Sequence, residues 1–163
     1  MSVSEIIMDF VGIDSSLTGT GFVIVNNGGQ IQKNEVISTK SNDRSEIRIQ
    51  QISNRIIELM SNYDIKSVYI EGLSYGSTGK SFSQLSALFY FILISIENNF
   101  NCDKKITRKV IPPGTLKKFI TGKGTAKKEL MLMKVYKRFG VEFDNSDLAD
   151  AFSLAMLALE ESK

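Results

Sequence analysis

The chain has 163 residues, of which 42% are hydrophobic and 23% charged, a composition typical of one globular domain. It contains no histidine and a single cysteine, Cys102, which excludes a Ser-His-Asp triad, most zinc sites and an internal disulfide. The longest apolar stretch, Leu85 to Ile96, is too short to span a bilayer, and no signal peptide is evident. We therefore expect a single domain over residues 1–163 in a reducing, cytoplasmic compartment, with chemistry that rests on carboxylates, lysines, hydroxyls or a bound metal.

The basic residues are unevenly distributed. The segment from Asp103 to Gly140 holds twelve lysines and arginines but two acids, a net charge of about +10, which leaves the rest of the chain at about −8. This asymmetry favours a polyanionic partner together with a separate acidic site. A lysine-rich solvated surface would give the same count.

The chain begins with three predicted strands. Ile6 to Asp14, Phe22 to Asn26 and Ile31 to Thr39 are rich in β-branched and aromatic residues. Asn27-Gly28-Gly29 predicts a hairpin turn between the second and third strands. The simplest interpretation is three antiparallel strands, the first ending in a carboxylate followed by a glycine-containing turn.

A helix is predicted from Asp43 to Tyr63, with Asp43 and Glu46 as a capping box. Its apolar stripe is predicted to comprise Ile49, Ile52, Ile56, Leu59 and Tyr63. Arg48 is predicted to lie off this stripe with other polar residues.

A fourth strand, Ser67 to Glu71, follows the helix and again ends in an acid. Because a helical crossover makes this strand parallel to the first, both strands run towards the same edge of the sheet. Asp14 and Glu71 are therefore expected to meet there.

The helix predicted from Ser81 to Asn98 is apolar nearly all round. Such a helix is either buried on both sides or forms a subunit interface. We favour a homodimer contact about as strongly as an internal core helix.

The last third of the chain predicts one strand and three helices. Lys109 to Pro112 is the strand, and Pro113 to Ile120 is a short helix with proline in its first turn. The next helix follows the loop Gly122 to Thr125, is capped near Thr125 and ends at Gly140. Its core-spaced residues are predicted to be Ala126, Leu130, Met133 and Tyr136. The final helix runs from Asp147 to about Glu160.

Four carboxylates are candidates for a shared site: Asp14, Glu71, Asp147 and Asp150. Each has an ordinary structural interpretation, as a turn-capping acid or as a favourable charge in the first turn of a helix. Asp147 and Asp150, however, lie on one face of a helix that can pack against the edge holding the other two. Four acids so close together would repel unless a cation held them, and all-oxygen ligands suit Mg²⁺ or Mn²⁺. Two such ions are the usual arrangement for attack of water on a phosphodiester.

Four blocks of the chain resemble the motifs of the RuvC-type Holliday junction resolvases, members of the RNase H-like superfamily. The blocks span nearly the whole chain in the family's order: Gly12-Ile13-Asp14-Ser15-Ser16-Leu17-Thr18-Gly19-Thr20-Gly21, Tyr69-Ile70-Glu71, Ile120-Thr121-Gly122-Lys123-Gly124-Thr125-Ala126-Lys127-Lys128 and Asp147-Leu148-Ala149-Asp150-Ala151. The resemblance implies an α/β, RNase H-like fold with a five-stranded mixed sheet, ordered 3-2-1-4-5 and flanked by helices. It also implies a homodimer that nicks four-way DNA junctions symmetrically with two Mg²⁺ ions per site, Mn²⁺ being a substitute.

The resemblance assigns roles to individual residues. Asp14, Glu71, Asp147 and Asp150 match the family's metal-binding acids, Lys128 matches its catalytic lysine and Lys117 a second functional lysine. Further residues are predicted to contact DNA: Lys80, Lys118, Lys123, Lys127 and Tyr75. Ser74 stands where family members carry a base-stacking aromatic, and Tyr75 beside it is expected to take that role.

In this departure the chain is similar to divergent family members encoded by phages or viruses. The similarity implies a bacterial or virus-infected host cell and cleavage of a wider range of branched DNA. Three alternatives stay open. An RNase H-like nuclease acting on RNA–DNA hybrids or simple branches would share the motif set. A junction-binding protein without cleavage would be favoured if any of the four acids failed to bind metal, and all four acids are present. An actin-like sugar kinase would share the Gly-Ile-Asp loop but needs two such domains, for which the chain is too short.

Overall fold

The computed structural model describes residues 7–74, 78–100 and 105–163. Five strands form one sheet in the order β3-β2-β1-β4-β5. The strands are β1 (Asp9–Asp14), β2 (Thr20–Asn26), β3 (Ile31–Ile37), β4 (Ile65–Glu71) and β5 (Thr107–Ile111). The helices are α1 (Ser45–Met60), α2 (Lys80–Phe100), α3 (Pro113–Thr121), α4 (Lys128–Phe139) and α5 (Ser146–Glu161).

The pairing of the strands confirms the predicted mixed sheet and its order. β1 pairs with β2 and β2 with β3 in antiparallel fashion, whereas β4 is parallel to both β1 and β5. The connection through α1 is long enough to return the chain to the same edge of the sheet, which makes β4 parallel to β1. The carboxyl ends of β1 and β4 therefore lie side by side.

Helices cover both faces of the sheet, and each face has its own apolar core. Val11 and Ile13 of β1 point into the core shared with α1 and α2. Phe10, which alternates with them, points into the core shared with α3, α4 and α5. This alternation follows from the two-residue period of a strand.

The most deeply buried helix is α5. Every residue from Ala151 to Leu159 is buried, because α5 lies between the sheet and the pair α3 and α4. Its alanines allow it to approach the strands closely. The observed helix, Ser146–Glu161, is one residue longer at each end than the predicted helix Asp147 to Glu160.

The predicted start of the first helix is wrong. The helix α1 begins at Ser45, its N-cap residue is Arg44, and no side chain caps it. Asp43 instead closes a turn through its backbone N–H, which donates to the carbonyl of Lys40 at 3.1 Å. Glu46 pairs with Arg44 at 3.2 Å rather than with the helix end.

The polar face predicted for α1 also needs a correction, because Arg48 is only 8% exposed. Its guanidinium reaches the loop after β1, with Nη2 donating to the carbonyl of Leu17 at 2.7 Å. Helical periodicity places Arg48 beside the buried Ile49 and Ile52, and it cannot reveal that a polar loop covers this end of the stripe.

Two other helices differ in their buried faces. The helix α2 is buried on one side only, through Leu88, Phe89, Ile92 and Ile96. In α4 the buried residues are Met131 and Val135, whereas the predicted Met133 and Tyr136 are 44% and 56% exposed. The helix starts at Lys128, after an extended Lys127 that makes no side-chain cap bond, and not near Thr125. The buried stripe of α4 therefore runs through Met131 and Val135 and faces α3 and α5.

The ends of the strands differ from the predicted ends by one to three residues. The prediction followed apolar character, whereas the observed ends are where the hydrogen bonding between strands stops. Within the described residues, no helix is long and apolar enough to cross a bilayer.

Candidate metal centre

Three carboxyl groups from three separate elements converge at the carboxyl edge of the sheet. Asp14 ends β1, Glu71 ends β4 and Asp150 lies in the second turn of α5. One oxygen from each lies within 4.8 Å of the others. This confirms the prediction that the acids ending the two parallel strands meet.

The fourth predicted acid, Asp147, lies one helical turn before Asp150 and lines the same cavity. Its oxygen faces Gly19 in the turn after β1, and it is not part of the tight group of three. Asp147 therefore contributes charge at the rim of the cluster.

Two glycines allow α5 to bring its acids to the strands. A Cβ atom on Gly12 would lie 1.8 Å from the carbonyl oxygen of Ala151, and one on Gly21 would lie 2.1 Å from the carbonyl oxygen of Asp147. Neither distance is possible between real atoms, so only glycine permits the contact. The first turn of α5 is thus seated directly on β2, and the next turns are seated on β1.

The start of α5 is fixed by a side-chain cap. The side chain of Asn145 accepts hydrogen bonds from the backbone N–H groups of Asp147 and Leu148, at 2.8 and 3.0 Å. Asparagine is among the preferred N-cap residues because it satisfies helix N–H groups that otherwise have no partner. The cap holds Asp147 and Asp150 in register with the strand ends.

The environment of the cluster opposes full ionisation. Burial, with the neighbouring charge of Glu71 as the next cause, raises the pKa of Asp14. Burial and the charge of Asp150 likewise raise the pKa of Glu71. Burial raises the pKa of Asp150 to about 6, although Lys128 and Lys117 act in the opposite direction. Carboxyl groups that cannot ionise together without a cation fit a metal site.

The cluster lines a cavity of about 330 Å³ that also contains two lysines, Lys117 and Lys128. Lys117 lies on α3, and Lys128 is the first residue of α4, with its Nζ 3.4 Å from the hydroxyl of Ser146. The structure therefore brings both predicted site lysines to the acids. Ser16 and Met131 also line this cavity and were not predicted as site residues.

Four other lysines predicted to contact DNA do not line this cavity. Lys80, Lys118, Lys123 and Lys127 are exposed, and their assignment stays a prediction. Tyr75 lies outside the described residues.

The donor set fits a hard divalent cation. Within the described residues, the cluster offers only carboxylate oxygens, the ligands that Mg²⁺ and Mn²⁺ prefer, and the chain has no histidine to favour zinc. The cavity leaves room for water and a phosphate oxygen beside the acids.

Comparisons with known proteins agree with this geometry. The family described as "Crossover junction endodeoxyribonuclease RuvC" matches residues 10–158. A relative with that name from Ehrlichia canis is 28% identical over 91% of this chain and 94% of its own length. Another from Brachyspira hyodysenteriae is 25% identical over 90% of each chain.

Solved structures show the same fold. The RuvC structure from Thermus thermophilus has a TM-score of 0.78 at 21% identity, covering 95% of this chain and 96% of its own. The yeast mitochondrial Holliday junction resolvase Ydc2 has a TM-score of 0.63 at 11% identity, covering 93% and 80%. The family match spans both strand-end acids, the lysine-bearing segment and the acids of α5. The chain therefore belongs to the RuvC family of crossover junction endodeoxyribonucleases.

Proposed function

We propose that this protein is a divalent-metal-dependent endonuclease that resolves Holliday junctions by symmetric nicking of phosphodiester bonds. We propose that it also cleaves other branched DNA. The observation that carries the proposal is the convergence of three carboxylates from separate elements within 4.8 Å, beside two lysines. Family membership supports the same activity. We further propose that residues 1–163 act as one nuclease domain in the cytoplasm of a bacterial or virus-infected cell.

Each residue at the centre has a distinct role in this proposal. Asp14, Glu71 and Asp150 would hold Mg²⁺, and Asp147 would complete the ligand set for a second ion. Two ions held by these acids would supply an activated water and would stabilise the leaving oxygen. Lys128 and Lys117 hold the phosphate and offset the negative charge that develops on it. Ser16, on the turn after β1, positions the substrate beside Asp14.

Branched DNA is the proposed partner. The twelve lysines and arginines between Asp103 and Gly140 include both lysines of the cavity and the exposed Lys118, Lys123 and Lys127. Contacts of this kind with phosphates supply affinity without reading sequence. A solved relative from Thermus thermophilus has been captured with a Holliday junction substrate, which supports this choice.

Symmetric nicking needs two active sites, and we propose that a second copy of this chain supplies the other. The outward side of α2 carries Tyr90, Phe91 and Ile94, which are 58%, 41% and 56% exposed. Large apolar side chains grouped on one helix face are typical of a subunit interface. A two-fold homodimer would match the symmetry of a four-way junction.

The test is cleavage of defined substrates by the intact protein. The protein would be incubated with Mg²⁺ and an immobile four-way junction, a flap or an RNA–DNA hybrid, alongside Asp14→Asn and the exposed control Asp144→Asn. We expect paired nicks in the junction from the wild type and the control, and none from Asp14→Asn or in EDTA. Junction binding without cleavage in Mg²⁺ or Mn²⁺ would refute the proposed nuclease activity. Cleavage of the RNA–DNA hybrid alone would reassign the substrate.

A further inference from the structure

A second cavity, of about 270 Å³, lies beside the carboxylate cavity and shares Ser16 with it. Its walls come from the loop after β1, from α1 and from the first turns of α2. Its polar lining consists of Arg48, Ser15, Ser16, Thr18, Ser81 and Gln84. The resemblance to known resolvases assigns no role to this group of residues.

Arg48 gives the cavity a positive charge. It is 8% exposed, and its Nε and Nη2 donate to Thr39 Oγ1 at 2.8 Å and to the carbonyl of Leu17 at 2.7 Å. Both acceptors are neutral, and no carboxylate within the described residues forms an ion pair with Arg48. A buried guanidinium with five donors and no counter-charge is costly, so an anion in the cavity would be strongly favoured.

Leu17 and Leu85 are the apolar part of the lining, and the other polar residues carry groups that can donate hydrogen bonds. Gln84 Nε2 already donates to the hydroxyl of Ser45, which leaves its second N–H. The hydroxyls of Ser16 and Thr18 lie 3.0 Å apart, and only one of them can donate to the other. The second hydroxyl proton is therefore available to a ligand. Ser81 and Gln84 stand in the first turns of α2, where the helix dipole also favours negative charge. None of the described lining residues is acidic.

We propose that this cavity binds a phosphate of the DNA strand next to the phosphate that is cut. The proposal rests on the proposed function, because Ser16 joins the two cavities and a strand seated on the carboxylates brings a neighbouring phosphate to Arg48. The bound phosphate supplies the counter-charge that Arg48 lacks, and Arg48 in turn fixes the position of the strand relative to Asp14. Arg48 is thus a positioning residue and not a catalytic one.

The first experiment measures anion binding without DNA. Inorganic phosphate would be titrated into the ¹⁵N-labelled full chain in EDTA, and the Nε–H signal of Arg48 and the backbone signals of Ser16 and Gln84 would be followed by NMR. We expect these signals to shift together and to saturate. Signals that do not move while those of Lys117 or Lys128 do would overturn the proposal and leave Arg48 as an anchor of the loop alone.

The second experiment places a negative charge in the cavity. Gln84→Glu would compete with phosphate for Arg48, and Gln51→Glu on the exposed side of α1 is the charge-matched control. We expect Gln84→Glu to abolish the phosphate shifts and to weaken junction binding by about tenfold. It should also reduce the slope of log K against log salt by about one. The Mg²⁺-induced rise in Tm should not change, because the carboxylate cluster is intact.

The outcomes separate this inference from the proposed function. If Gln84→Glu binds DNA as Gln51→Glu does while the wild type still cuts junctions, the phosphate site is refuted and the nuclease stands. If phosphate binds at Arg48 but the wild type cuts no junction, the nuclease is refuted and the anion site stands.

Discussion

The carboxylates at the metal centre oppose folding when no cation is bound. The pKa values of Asp14, Glu71 and Asp150 are all raised in the folded protein above those of free carboxyl groups. A raised folded-state pKa means that the native state holds more protons than the unfolded state. The contribution of these groups to the free energy of unfolding is therefore largest below about pH 4. It is lost as the pH rises through their folded-state pKa values, about 6 for Asp150.

Asp14→Asn should thus make the metal-free protein more stable at pH 8. We expect Tm in EDTA to rise by about 2–6 °C relative to the wild type, with a smaller difference at pH 5, because the amide removes one charge from the cluster. Mg²⁺ should raise the Tm of the wild type and leave that of the variant unchanged. Thermal unfolding at both pH values measures this, and a lower Tm for the variant at pH 8 in EDTA would contradict it.

The two adjacent lysines at the start of α4 allow a matched comparison. Lys128 lines the metal cavity, whereas Lys127 precedes the helix and does not. Lys128→Met should reduce the single-turnover cleavage rate at saturating DNA by about 10²- to 10³-fold, because it removes the positive charge that faces the scissile phosphate. Lys127→Met should change only affinity. Equal losses of rate in both variants would count against the assigned role of Lys128.

At the scale of elements, the seat of α5 on the strands decides the geometry of the site. Gly12 and Gly21 remove the side chains that would separate the helix from the sheet. Asn145 then fixes where the helix starts. The contact places two acids on a helix opposite two acids on strands.

Gly21→Ala tests that contact. The new Cβ would lie 2.1 Å from the carbonyl oxygen of Asp147, so the first turn of α5 must move away from β2. We expect a loss of about 1–3 kcal/mol of stability and a drop in cleavage rate of about 10²-fold, since the acids shift by a fraction of their spacing.

Gly114→Ala in α3 is the control, because its nearest neighbour would be 3.8 Å away. Chemical denaturation and cleavage rates measure both variants. If Gly21→Ala cleaved junctions as fast as Gly114→Ala, α5 would not need this close approach.

At the scale of the whole molecule, the proposed dimer depends on the outward side of α2. Ile94→Glu places a charge among the exposed Tyr90 and Phe91, whereas Asn98→Glu adds the same charge at another exposed position of the helix. We expect Ile94→Glu to halve the mass measured by light scattering and to uncouple the two nicks, so that singly nicked junctions accumulate. An Ile94→Glu protein that keeps the wild-type mass would place the interface elsewhere.

Much of this architecture follows from local patterns. The runs of β-branched and aromatic residues and the turn after β2 predict the first three strands, and the rule for parallel crossovers places Asp14 beside Glu71. Periodicity alone does not distinguish a buried from an exposed position for a polar residue. Arg48 lies between Ile47 and Ile49 in α1, and the loop after β1, which accepts its hydrogen bond, makes this charged side chain buried.

The sequence by itself determined the order of elements, the antiparallel start of the sheet, the parallel fourth strand and the types of residue at the site, because these depend on residue pattern, turn chemistry and chain direction. The full strand order was implied by the resemblance to the RuvC-type resolvases. Only the tertiary structure decided which helix is most deeply buried, which side of α4 faces α5 and which acids form the tight group of three. These features depend on how closely separate elements approach one another. At Gly12 and Gly21 that approach is set by atoms from α5, more than 120 residues further along the chain.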